Sequence, residues 1–110
     1  MKLVIAVVQD KDSNRLSNQL IQKGFGATKL ASTGGFLKSG NTTFLIGVEE
    51  ERVEEVLQVI KDTCKSREKT VTPMSNMGGS SGETYVPYPV TVQVGGATVF
   101  VVDVQQFAHF

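Results

Sequence analysis

Five apolar residues, Val53, Val56, Leu57, Ile60 and Cys64, fall at i, i+3, i+4, i+7 and i+11, and they constrain the fold more than any other feature of this chain. That spacing puts them in one stripe along a helix, with the polar residues between them facing water. Glu49, Glu50 and Glu51 gather at the start of the segment, and Lys61, Lys65 and Arg67 near its end. Both groups interact favourably with the helix macrodipole. A helix that is apolar on one side needs a surface to lie on, and the strand-like segments around it supply one.

Leu3 to Val8 is an unbroken apolar run rich in β-branched residues, the pattern of a strand covered on both faces. Asp10, Asp12 or Ser13 can cap the helix that follows, in which Leu16, Leu20 and Ile21 share a face until Gly24 stops it. Phe25 to Thr33 reads as a strand. Thr42 to Val48 reads as another, with Phe44, Ile46 and Val48 alternating against Leu45 and Gly47. Val90 to Val94 alternates strictly, Gly95-Gly96 follows, and Ala97 to Val104 is again strand-like. Two strands joined by Gly-Gly predict a two-residue hairpin.

The order is β-α-β-β-α-β with one extra strand near the C-terminus. This is an α+β pattern, expected to form a single ferredoxin-like βαββαβ sandwich over residues 1–110 with both helices on one sheet face. Strands this apolar leave the second face to be covered, and association of subunits would cover it.

Two connections are richer than a simple link requires. The short loop, 34–41, sits inside Thr33-Gly34-Gly35-Phe36-Leu37-Lys38-Ser39-Gly40-Asn41-Thr42-Thr43-Phe44. Its glycines permit positive φ and close approach to a ligand, Phe36 offers an aromatic face, and Lys38, Ser39, Asn41 and Thr42 supply donors. That set suits a flat base attached to phosphate; it also suits a decorated turn with Phe36 folded inward. Gly35 and Gly40 have P-loop spacing, but Asn41 stands where the lysine belongs and a strand, not a helix, follows. A P-loop ATPase or kinase is excluded. The long loop, 66–89, is expected to be flexible around Gly78–Gly82 and carries Tyr85-Val86-Pro87-Tyr88-Pro89. Its tyrosines can meet a ligand, a partner or their own subunit.

Eleven basic and eleven acidic side chains cancel, so no basic field favours nucleic acid. The first apolar run ends at Gln9-Asp10-Lys11-Asp12, too soon for a signal peptide, and no segment reaches membrane-spanning length. Lone Cys64 completes the helix stripe and reads as a buried small hydrophobe. The single histidine, His109, stands near the C-terminus, so Ser and Cys nucleophiles lack an evident base. Asp10 and Asp12 can hold Mg²⁺ at a strand end, though helix capping is their commoner role. The expectation is a binding module in the cytoplasm, not an enzyme, with no cofactor and no metal.

Val7-Val8-Gln9-Asp10, Ala27-Thr28-Lys29-Leu30, Thr33-Gly34-Gly35-Phe36-Leu37, Gly40-Asn41-Thr42-Thr43-Phe44, Pro87-Tyr88-Pro89-Val90 and Val94-Gly95-Gly96-Ala97-Thr98-Val99-Phe100-Val101 closely resemble the PII-like cyclic di-AMP receptor proteins of Gram-positive bacteria. The resemblance runs over essentially the whole chain. It implies a PII-like homotrimer with ligand sites between neighbouring subunits. It also implies that Thr28, Gly35, Phe36, Leu37, Asn41, Gly47 and Phe100 line a cyclic di-AMP pocket. Phe36 would stack on an adenine, Asn41 would read base edges, Thr28 would donate to phosphate, and Gly47 would leave room for the ligand. Relatives usually carry arginine where Gly26 stands and glutamine where His109 stands; loss of the guanidinium implies either weaker affinity or compensation by Lys29 or Lys38. The functional expectation is a cyclic di-AMP receptor that controls an unidentified protein target. The rival is a nucleotide-independent protein-interaction module acting through the Tyr-Pro segment.

Overall fold

The computed structural model describes residues 1–31, 40–71 and 89–110. In chain order the elements are β1 (Lys2–Gln9), α1 (Asp10–Gln22), β2 (Ala27–Ala31), β3 (Asn41–Val48), a 3₁₀ turn (Glu50–Arg52), α2 (Val53–Cys64), β4 (Arg67–Val71), β5 (Val90–Val94) and β6 (Ala97–Asp103). Four strands form one antiparallel sheet in the order β2-β3-β1-β6, while β4 and β5 form a separate two-stranded ribbon. The four-stranded order and the two helices are those of a ferredoxin-like α+β fold.

Alternation decides which sheet face the helices cover. Val4, Ala6 and Val8 of β1 and Thr42, Phe44, Ile46 and Val48 of β3 are buried, and every residue between them is less so. Leu16 and Leu20 of α1, and Val56, Val59, Ile60 and Cys64 of α2, close the core over that face. Full burial of side chains such as Phe44 or Leu16 stabilises by about 1.5–3 kcal/mol each. Ile21, expected on the buried face of α1, is instead exposed. Past it, the amide of Phe25 donates to the Leu20 carbonyl (2.9 Å) and that of Gly24 to Ile21 (2.9 Å), with Gly24 at φ +83. This is a Schellman stop, and it drops Phe25 into the core beneath the Arg52 guanidinium, 4.1 Å from the ring centroid.

Three expectations need correction. None of Asp10, Asp12 and Ser13 is the N-cap of α1, because the helix starts directly from β1 with Gln9 in that position and no side-chain cap. The two carboxylates have other partners, described below. Residues 66–89 are not one loop, since β4 occupies Arg67–Val71. Finally, Gly95-Gly96 does not close a hairpin between β5 and β6. Both glycines have positive φ (+80 and +97), but the Gly96 amide donates to the Cys64 carbonyl and the Gly95 amide to Gln9 Oε1 (2.8 Å). The pair therefore steers the chain out of the ribbon and into the main sheet. There β6 pairs along the open edge of β1 from Lys2↔Asp103 to Val8↔Ala97. The long edge of β1 competes successfully with a local turn signal.

Candidate functional site

The residues that oppose the buried ones on each strand define the helix-free face of the sheet. Strand register arranges them in rows. Thr28 lies opposite Leu45, Leu45 opposite Ile5, and Ile5 opposite Phe100. Gly47, Leu3 and Val102 form a second row, and Asn41 lies opposite Gln9. Thr28, Asn41, Gly47 and Phe100 are thus all on one face. Gly35, Phe36 and Leu37 lie outside the described residues, as do Lys38 and the Tyr85–Tyr88 segment.

The sheet spreads those four residues over its face. Thr28 is on one edge strand and Phe100 on the other, three inter-strand spacings or about 14 Å away. Asn41 and Gly47 stand at opposite ends of β3, about 20 Å apart. Thr28 and Gly47 are near neighbours. One copy of the chain therefore does not gather the described site residues into a single pocket.

The face is apolar and open. Phe100 is 55% exposed, Leu30 47% and Val102 42%, and Leu3, Ile5, Val7 and Leu45 are half-buried among them. At Gly47 an added Cβ would meet only the Met1 methyl, at 3.5 Å, so within this subunit the position accepts a side chain. At Gly26 an added Cβ would meet nothing within 4 Å. Lys29 does not take the place of a guanidinium on this face: its strand position belongs to the helix side, where its ammonium donates to Asn14 Oδ1 (3.0 Å). Thr42, read as a ligand donor, is also turned inward, buried, with its hydroxyl donating to Asp10 Oδ1 (2.5 Å). His109 is exposed, beyond the end of β6.

A depression of about 440 Å³ opens beside Asn41, lined by Val7, Gln9, Gly95, Gly96 and Thr98. The sequence assigned Gly95 and Gly96 to a turn and Gln9 to no role; only strand register, which joins residues 9 and 41, brings them together. The nearest ionic cluster lies on the helix side. Asp12, 1% exposed, accepts from Arg67 (2.8 Å) and from Arg15 (3.3 Å), and Arg15 also donates to the Thr63 carbonyl (2.8 Å). With Asp10 held by Thr42 and Asp12 by two arginines, these carboxylates serve structure. No group of three or more metal-ligating side chains occurs among the described residues. Burial pushes the Cys64 thiol up to about 11, with a smaller contribution from the Asp12 charge. That is the inert state of a packed cysteine. No helix among the described residues is long and apolar enough to cross a membrane.

Comparison with known proteins agrees with this architecture. The sequence model of the cyclic-di-AMP receptor family matches residues 1–110. Among solved structures, the chain is similar to a functionally unknown protein from Pediococcus pentosaceus ATCC 25745, at 56% identity and a TM-score of 0.79. That match covers 99% of this chain and 96% of the other.

Proposed function

The chain belongs to the cyclic-di-AMP receptor family, a family of receptors and not of enzymes, and on that premise we propose that it binds cyclic di-AMP between subunits of a cytoplasmic homotrimer and signals to a protein partner. The observation that carries the interface is the separation of Thr28 from Phe100 on opposite edges of one face. In this reading the ligand bridges two copies, with the β2 edge of one beside the β6 edge of the next. Where the rotation between copies closes, such a head-to-tail contact gives a ring, and in the proposed homotrimer it would cover the apolar face that a single copy leaves open. Thr28, Gly35, Phe36, Leu37, Asn41, Gly47 and Phe100 are the proposed contacts, with Phe36 stacking on a base at roughly 1–3 kcal/mol. Binding changes the conformation of the segments next to the site, and the partner favours one of the two states.

Isothermal titration with cyclic di-AMP, with ATP and cyclic di-GMP as controls, tests the ligand. Selective binding at about micromolar strength, roughly −8 kcal/mol, is expected. Complementation tests the interface. Thr28→Val and Phe100→Ala homotrimers should each bind poorly, while refolded mixtures should recover sites where two intact edges meet. Mixtures no better than the separate variants would overturn the shared site, and absence of any binding by the unaltered chain would overturn the ligand.

A further inference from the structure

The turn that joins β1 to α1 touches two regions far apart in sequence. The Asp10 amide donates to the Gly40 carbonyl (3.1 Å), and its Oδ1 accepts from the Thr42 hydroxyl (2.5 Å). The second distance is that of a charge-assisted O–H···O⁻ bond. Gly40 sits at φ +59, where a Cβ would come within 2.4 Å of Asp10 Oδ2. Only glycine lets the chain pass this close to the carboxylate before it reaches Asn41.

Asp12, the next residue but one, grips the base of the ribbon. Its Oδ1 accepts from Arg67 Nη2 (2.8 Å), at the first residue of β4, and Arg67 Nη1 donates to the Lys65 carbonyl (3.1 Å). The Arg67 guanidinium in turn fills the space beside Gly95, where an added Cβ would stand 2.4 Å from Nη1. Gln9 holds the Gly95 amide from the other side. Residues 9–12, the end of β1 and the start of α1, therefore connect the start of β3 to the base of the ribbon.

We propose that Asp10 and Asp12 are positioning residues that couple the Gly40–Thr42 segment, which sets Asn41 at the site, to the β4–β5 ribbon. Neither needs to touch a ligand. Thr42 faces the helix side, so a shift of Gly40–Thr42 reaches Asp10 directly, and the helix backbone carries it to Asp12 and Arg67. The coupling itself stands on contacts within one subunit; only its link to cyclic di-AMP rests on the function proposed above.

The test uses the full chain and amide hydrogen exchange, first without ligand. Thr42→Val, which removes the hydroxyl at nearly constant volume, should speed exchange in Arg67–Val71 and Val90–Val94 as well as at its own strand. Arg67→Gln should do the reverse and speed exchange in Gly40–Phe44. The conservative Thr42→Ser should restore the wild-type pattern. Effects confined to the mutated element, or an equal acceleration throughout α2 that reports global destabilisation, would overturn the coupling. Titration with cyclic di-AMP follows. Thr42→Val should weaken binding about tenfold, within the usual range of coupling between sites. Arg67→Gln should keep most of the affinity and lose the ligand's effect on ribbon exchange. Cross-effects without any nucleotide binding by the unaltered chain would support the coupling and remove the ligand reading. Binding without cross-effects would do the opposite.

Discussion

The main sheet and the β4–β5 ribbon are both antiparallel and both rich in β-branched residues, yet they differ in what lies against them. One face of the sheet is sealed by two helices, and its central strands bury every second residue. In the ribbon only Val94 is buried; Val92, Val71 and Arg67 are half-covered, and the remaining residues face water. Strand propensity is thus similar in the two regions while packing is not. An isolated pair of strands is marginal in water, so the ribbon depends on its base. There Asp12 holds Arg67, Gln9 holds Gly95, and the Cys64 carbonyl holds Gly96. The sheet body is the better-packed frame, and the ribbon, with few buried apolar side chains, is the part expected to open at lower free energy.

Core truncation is the largest expected break in this comparison. Phe44→Ala empties a fully buried ring position in the middle of the sheet and should cost about 3–5 kcal/mol. Val92→Ala in the ribbon should cost less than about 1 kcal/mol, because that side chain is only partly covered. Urea unfolding followed by circular dichroism measures both. Equal losses would mean that the ribbon is as firmly packed as the sheet and that the contrast is wrong.

Two glycines sharpen the contrast at the next scale. At Gly95 an alanine would combine φ +80 with a Cβ 2.4 Å from Arg67 Nη1 and 2.8 Å from the Lys65 carbonyl. About 1–3 kcal/mol of strain is expected, relieved by release of the ribbon base. Gly47→Ala lies in a strand with no positive φ and meets only Met1, so stability should stay within about 0.5 kcal/mol. The same change should still abolish cyclic di-AMP binding if ligand occupies that space. A stable Gly47→Ala protein with unaltered affinity would remove Gly47 from the proposed site.

These contrasts also mark what the sequence could tell. The α2 stripe was legible because five apolar residues keep one helical period, and all five of its expected positions are buried or packed on the core. Alternation in β3 likewise separated its two faces, whereas the unbroken apolar run of β1 read as covered on both, and only the structure distinguishes Val4, Ala6 and Val8 from their neighbours. The Gly95-Gly96 hairpin failed because a turn signal is local, whereas the partner of β6 is settled by the free edge of β1, some ninety residues earlier. Asp12 could be read only as a cap or a metal ligand, since its partner Arg67 is 55 residues away and follows no pattern. The candidate site residues were named through motif resemblance. That Thr28, Asn41, Gly47 and Phe100 share a face became visible only with strand register, because they lie on three different strands.

The smallest effect falls at the seam between the two regions. Cys64 ends α2, its thiol is fully buried, and its carbonyl receives the Gly96 amide. Burial raises the thiol from an ordinary value of 9.0 to about 11. Above pH 9.0 the unfolded chain therefore releases the proton while the folded chain keeps it. Fewer protons on the unfolded state mean that stability falls as pH rises, and the loss from this group is complete once pH passes about 11. Lysines and tyrosines titrate in the same window, so the informative quantity is the difference between the unaltered chain and Cys64→Ala. The variant should be somewhat less stable at pH 8 and should show a shallower decline toward pH 11. Val92→Ala should keep the full slope, because the ribbon lies outside the packing that shields the thiol. If Cys64→Ala and the unaltered chain decline in parallel, the thiol is not shielded from water, and the seam is as open as the ribbon above it.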